Sequence, residues 1–73
     1  MAVASVSTIT AASPDSWDDA LQRGFERARE TLSDITGIKV VEEKARVEDG
    51  RLTEYLVTLQ VVSVLEETAH PRR

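Results

Sequence analysis

Read at the two-residue period of an extended chain, Leu52–Leu65 places Tyr55, Val57, Leu59, Val61 and Leu65 on one face and Leu52, Leu56, Val62 and Val64 on the other. Upstream, Trp17, Ala20, Leu21, Gly24, Phe25, Ala28, Leu32 and Ile35 follow the helical spacing i, i+3, i+4, i+7, which predicts one helix over about Pro14–Asp34 with a single apolar stripe. One helix covers one sheet face. Burying an aliphatic side chain is worth roughly 1.5–3 kcal/mol, so the four on the second face represent about 6–12 kcal/mol, comparable to the net stability of a whole domain. The pattern therefore predicts a chain that associates with further copies of itself, with Leu52, Leu56, Val62 and Val64 on the inner or subunit-contact face.

The punctuation between these runs sets the element order. Val3–Thr10, rich in β-branched and hydroxyl residues, reads as a first strand. Ser13-Pro14-Asp15 reads as a helix start: an N-cap serine, a proline suited to the first helical position, and an acid at the positive end of the dipole. Gly24 falls inside the apolar stripe, where its propensity cost is explained by close approach of the helix to its sheet. Asp18, Asp19, Gln22, Arg23, Glu26, Arg27 and Glu30 form the solvent side, with Asp19 and Arg23 at a supportive i, i+4 spacing.

Two long strands follow, Gly37–Glu48 and Arg51–Leu65, joined by Asp49-Gly50, the dipeptide suited to a two-residue hairpin turn. Counting back from that turn pairs Val40 with Leu59, Ile38 with Val61 and Lys44 with Tyr55 on the helix side. On the other side it pairs Val47 with Leu52, Glu43 with Leu56, Val41 with Thr58 and Gly37 with Val62. The class is α+β with β-α-β-β order, a three-stranded sheet in the order 1-3-2 wrapped on one helix. Residues 1–68 form one domain, and residues 69–73 a flexible tail.

Composition narrows the function classes. Seventy-three residues lie near the size below which a chain needs staples or partners to fold, and the absence of cysteine removes disulfides and thiolate metal sites. A net charge of −4 argues against a phosphate-binding surface, so nucleic acid is not an expected partner. No apolar run approaches the roughly 20 residues of a membrane-spanning helix, and Met1–Ser13 lacks the basic start of a signal peptide. A cytoplasmic protein is expected.

Candidate chemistry is sparse. His70 is the only histidine and stands in the charged tail, without partners for a zinc site or a catalytic triad. Asp15, Asp18 and Asp19 offer oxygens to a hard cation such as calcium, but one helix turn cannot surround an ion, so a neighbouring subunit would have to complete the shell. Their alternative role is to complement the helix dipole. Glu42-Glu43 and Glu66-Glu67 read as solvated or paired with Lys44, Arg46 and Arg51. Trp17 reads as a packing residue of the helix stripe. With no glycine-rich phosphate loop and no nucleophile-base set, the chain is not expected to be an enzyme.

The β-α-β-β order, Ser13-Pro14-Asp15, Arg27-Ala28 followed by Thr31-Leu32, Asp49-Gly50, and Val57-Thr58-Leu59-Gln60-Val61 with Leu65-Glu66 resemble the dodecins, from about Val3 to Thr68. That resemblance implies a hollow homododecamer with helices outside and sheets lining the interior. Many dodecins stack a flavin against a tryptophan on the second strand and hydrogen-bond it through a glutamine on the third. Gly37 and Leu56 stand at those positions here, so the ligand site is expected as a location without its flavin chemistry. Ser16-Trp17-Asp18 and Thr36-Gly37-Ile38 are similar to a calcium-binding subgroup. The resemblance thus implies a small-ligand or ion-binding scaffold, with a differently posed flavin and a calcium-dependent assembly as alternatives.

Overall fold

The computed structural model describes residues 3–64; Leu65, Glu66-Glu67, His70 and the rest of the tail expectations lie outside the described residues. The elements run β1 (Ala4–Ser13), α1 (Trp17–Thr31), β2 (Ile35–Glu48) and β3 (Arg51–Val64). They form one three-stranded sheet in the order β1-β3-β2. Both neighbours run antiparallel to β3.

The helix starts three residues later than Ser13-Pro14-Asp15 suggests. Ser16 is the N-cap, and its hydroxyl accepts from the Asp19 amide at 2.9 Å. Ser13 instead ends β1 and accepts from the Asp15 amide at 2.9 Å, so it shapes the turn into the helix. Two serines three residues apart both suit a cap, and the longer first strand takes the earlier one. At the other end the helix stops at Thr31 with Leu32 as C-cap, and Ile35 belongs to β2 while still packing on the core.

The helix presents its smallest residues to the sheet: Ala20, Gly24 and Ala28 are buried against Val57, Leu59 and Val61. A β-carbon at Gly24 would stand 3.0 Å from a Leu59 methyl and 3.1 Å from the Ala11 methyl. Close approach is thus the reason for glycine in the stripe. Trp17 closes one end of this core, edge to face with Tyr55 at a centroid distance of 5.0 Å, while its indole N–H donates to the Lys44 carbonyl at 3.0 Å. A packing role for Trp17 follows from those contacts.

Three irregularities modify the counted register. Starting from the Asp49-Gly50 turn, Glu48 pairs with Arg51 and Val47 with Leu52 as counted; Thr53 is then an extra residue on β3, its hydroxyl donating to the Arg46 carbonyl at 3.3 Å. The pairs beyond it become Ala45 with Tyr55, Lys44 with Leu56, Glu43 with Val57 and Glu42 with Thr58. An extra residue on β2, Val41, cancels the shift, so Val40 meets Leu59, Ile38 meets Val61 and Gly37 meets Val62 as counted. The expected pairs Lys44 with Tyr55, Glu43 with Leu56 and Val41 with Thr58 are therefore wrong by one residue. Each such bulge bends its strand and increases the local right-handed twist.

Candidate functional site

The sheet face turned away from α1 is left uncovered by the helix. Its central row is Leu56, Thr58, Gln60, Val62 and Val64, all partly exposed, alternating with buried Val57, Leu59, Val61 and Ser63. The β1 register places Ala12 beside Leu56, Thr10 beside Thr58, Thr8 beside Gln60, Val6 beside Val62 and Ala4 beside Val64. On β2 the same face carries Gly37, Lys39, Glu42, Lys44 and Arg46.

This face divides into two chemistries. Around Gly37 and Val62 it is aliphatic, with Val6 58% exposed. Toward Leu56 it is polar. The Thr10 and Thr58 hydroxyls share a hydrogen bond at 3.1 Å, Lys44 and Glu42 approach at 3.9 Å, and Arg46 donates to Glu54 at 3.0 Å. Sequence reasoning placed Lys44 on the helix side; the Thr53 bulge brings it beside Leu56 instead. No local signal marks that bulge.

Gly37 and Leu56 share this face, but they do not meet within the chain. Gly37 lies opposite Val62, and Val62 is six positions along β3 from Leu56, about 20 Å at the rise of an extended strand. A β-carbon at Gly37 would have nothing within 4 Å, so the position is open space. Neither residue suits a flavin: glycine has no aromatic plane to stack, and leucine has no donor or acceptor for the ring edge. Leu52 is displaced by the same bulge. It pairs with Val47, so it stands on the opposite side of the ribbon from Leu56, where both members of the pair are more than half exposed.

The acidic residues at the helix start are separated by role. Asp19 accepts from the Ser13 hydroxyl and from the Arg23 guanidinium, each at 2.6 Å. The Ser13 bond first and Arg23 second hold its carboxyl below the ordinary carboxylate value. Asp18 sits in the first helical turn, and Asp15 precedes the Ser16 cap. Among the described residues no three acidic or histidine side chains are grouped to hold a metal. Asp15, Asp18 and Asp19 of one chain are thus not a complete ion shell.

A second uncovered surface lies on the helix side. Because α1 packs over β1 and β3, Ile38 and Val40 of β2 are left 38% and 42% exposed, and with Leu21, Gln22 and Phe25 they line an open groove of about 320 Å³. No helix among the described residues is long and apolar enough to cross a membrane.

These features define a class: a small α+β domain with its sheet closed by one helix on one side and open on the other. The chain belongs to the dodecin family, whose model matches residues 3–66. It is 33% identical over 72 residues to the calcium dodecin of Mycobacterium tuberculosis, covering 99% of this chain and all of that one. Among solved structures it is similar to a dodecin from Streptomyces davaonensis, with 32% identity, coverage of 90% and 97%, and a TM-score of 0.84. It is also similar to the crystal structure of the calcium-chelating calcium dodecin of M. tuberculosis, which has a novel calcium-binding site, with 30% identity, coverage of 96% and 99%, and a TM-score of 0.76.

Proposed function

We propose that this chain is a non-enzymatic, self-assembling binding subunit, in which twelve copies close a hollow cytoplasmic shell that holds a small ligand or an ion. The open sheet face carries this reading. Leu56, Val62 and Val64 remain partly exposed and Val6 largely so, although the helix-side residues Val57, Leu59 and Val61 are fully buried. The aliphatic end of that face, around Val6, Val62 and Val64, is covered most simply by copies of the same chain.

Flavin is not the ligand in this reading, because Gly37 and Leu56 supply neither stacking nor ring-edge hydrogen bonds. Native mass spectrometry and light scattering test the assembly: particles of twelve times the 8.1 kDa subunit are expected. A monomer or dimer at micromolar concentration overturns it. The same spectrum reports any retained ligand.

A calcium-dependent form of this function is the second reading. It is favoured by the near-full-length similarity to a protein called calcium dodecin. Among the described residues no three acids of one chain group to hold the ion, so calcium at the helix start would need Asp15, Asp18 and Asp19 from more than one copy. Loss of the oligomer on chelation is the expected result, and indifference of both oligomer and melting temperature to EDTA removes this reading.

A further inference from the structure

Tyr55 marks the limit of support for the β2–β3 hairpin. β1 ends opposite it at Ser13, and Trp17, the first residue of α1, lies edge to face against its ring. Past that point residues 46–54 project as a two-stranded arm, and every residue from Arg46 to Thr53 is exposed. A hairpin with neither a third strand nor a packed helix is at best marginally stable in water.

The arm has two unlike sides. On one, Arg46 and Glu54 form an ion pair at 3.0 Å. On the other, Val47 and Leu52 stand opposite each other and are 60% and 54% exposed. Successive strand residues point to opposite sides, so this aliphatic pair shares the side of Tyr55, where α1 lies. Asp49 and Gly50, both left-handed, close the ribbon just beyond it and place the pair at the tip.

The groove between α1 and β2, lined by Leu21, Phe25, Ile38 and Val40 with Gln22, is an apolar recess on the same side of the sheet. Its own arm cannot fill it. Val40 and Val47 are seven positions apart on β2, about 23 Å at the rise of a strand. An exposed aliphatic tip and an exposed aliphatic recess in one molecule, too far apart to meet within it, are covered together by a single contact between two copies.

We propose that the tip formed by Val47 and Leu52 docks in the groove of a second copy of this chain, against Leu21, Phe25, Ile38 and Val40. The contact joins two different patches, so it is heterologous and passes from copy to copy until the rotation closes the set. Each copy gives one arm and receives one. The inference rests on the self-assembly reading above and adds to it a helix-side contact, separate from the open sheet face of Leu56 and Val62.

The chain has no cysteine, which makes disulfide trapping the direct test. Full-length Val40→Cys/Leu52→Cys, oxidised with copper phenanthroline, should give linked species of three or more chains on non-reducing gels. A disulfide needs its α-carbons within roughly 7 Å, so such links join different copies. Val40→Cys alone and Leu52→Cys alone should stay unlinked, because like positions do not meet in a heterologous contact. The two single variants co-expressed should stop at linked dimers containing one chain of each. Separately, Leu52→Asp alters an exposed tip outside the core and should give smaller particles in light scattering with an unchanged circular dichroism spectrum. An unlinked double variant, single variants that link as extensively as the double, or a full-sized Leu52→Asp particle overturns the proposal, and the groove is then left to another protein or to solvent. Native mass spectrometry of the parent reports assembly by itself: a particle that persists while the double variant stays unlinked removes this contact alone, and a monomer removes both readings.

Discussion

The Ser13 hydroxyl donates to the Asp19 carboxylate at 2.6 Å and so ties the end of β1 to the first turn of α1. Ser13 is 1% exposed, and Arg23 meets the same carboxylate oxygen from one helical turn away. Both bonds favour the charged carboxylate, which lowers its folded pKa below the ordinary 3.8, Ser13 contributing more than Arg23. A group depressed in this way contributes stability that is full above its unfolded pKa and is lost as pH falls through the folded value. Melting scans from pH 6 to pH 2.5 should therefore show the parent losing stability relative to Asp19→Asn below about pH 4. At neutral pH the parent should be the more stable, and that advantage should shrink toward the acid end.

Gly24 predicts a steric cost. Its β-position would be 3.0 Å from the Leu59 methyl and 3.1 Å from the Ala11 methyl, and Leu59 is fully buried and has no room to withdraw. Gly24→Val puts two further carbons into that gap. The expected loss is about 2 kcal/mol or more, despite the better helix propensity of valine over glycine. Urea unfolding measures it, and an equal or greater midpoint with an unchanged slope would mean that α1 can lift from the sheet at little cost.

Much of this geometry is legible in the sequence, because it rests on periods and turn chemistry. The helix stripe, the Asp49-Gly50 hairpin, the strand order and the role of Gly24 all follow from residue spacing. Local competition is harder to read. Ser13 and Ser16 are both plausible caps, and the choice between them depends on how far β1 continues along β3. The Thr53 and Val41 bulges are least legible, since each offsets the other and the pairs on either side of them, Val47 with Leu52 and Gly37–Val40 with Val62–Leu59, keep the counted register. Their effect falls on the site, moving Lys44 beside Leu56 and Leu52 away from it.

The open face predicts an ordering among substitutions. Leu56→Glu and Val62→Lys each put a charge into the partly exposed row on the open side of β3, whereas Asp18→Ala changes the solvent side of the helix start. If copies of the chain cover that row, an unpaired charge there costs several kcal/mol per contact. Either face variant should then shift the particle toward smaller species in light scattering while Asp18→Ala leaves its size unchanged. Unaltered size in both Leu56→Glu and Val62→Lys would mean the row faces solvent in the particle.

A gain of function tests the ligand reading most directly. At Gly37 a side chain meets open space, so Gly37→Trp should be accepted without strain, and Leu56→Gln restores an amide at a partly exposed position beside Lys44. Within one chain the two positions are about 20 Å apart, so a flavin touching both must lie between subunits. The double variant, assembled, should quench riboflavin fluorescence at concentrations where the parent does not, through stacking on the new indole and hydrogen bonds from the new amide. Each single variant should bind more weakly than the pair, because each supplies only one of the two contacts. Dissociating the double variant should abolish quenching even though both side chains are still present. Strong quenching by the parent would instead mean that flavin binds in another pose, independent of Gly37 and Leu56, and that the aliphatic surface around Val62 and Val6 is a ligand platform in its own right.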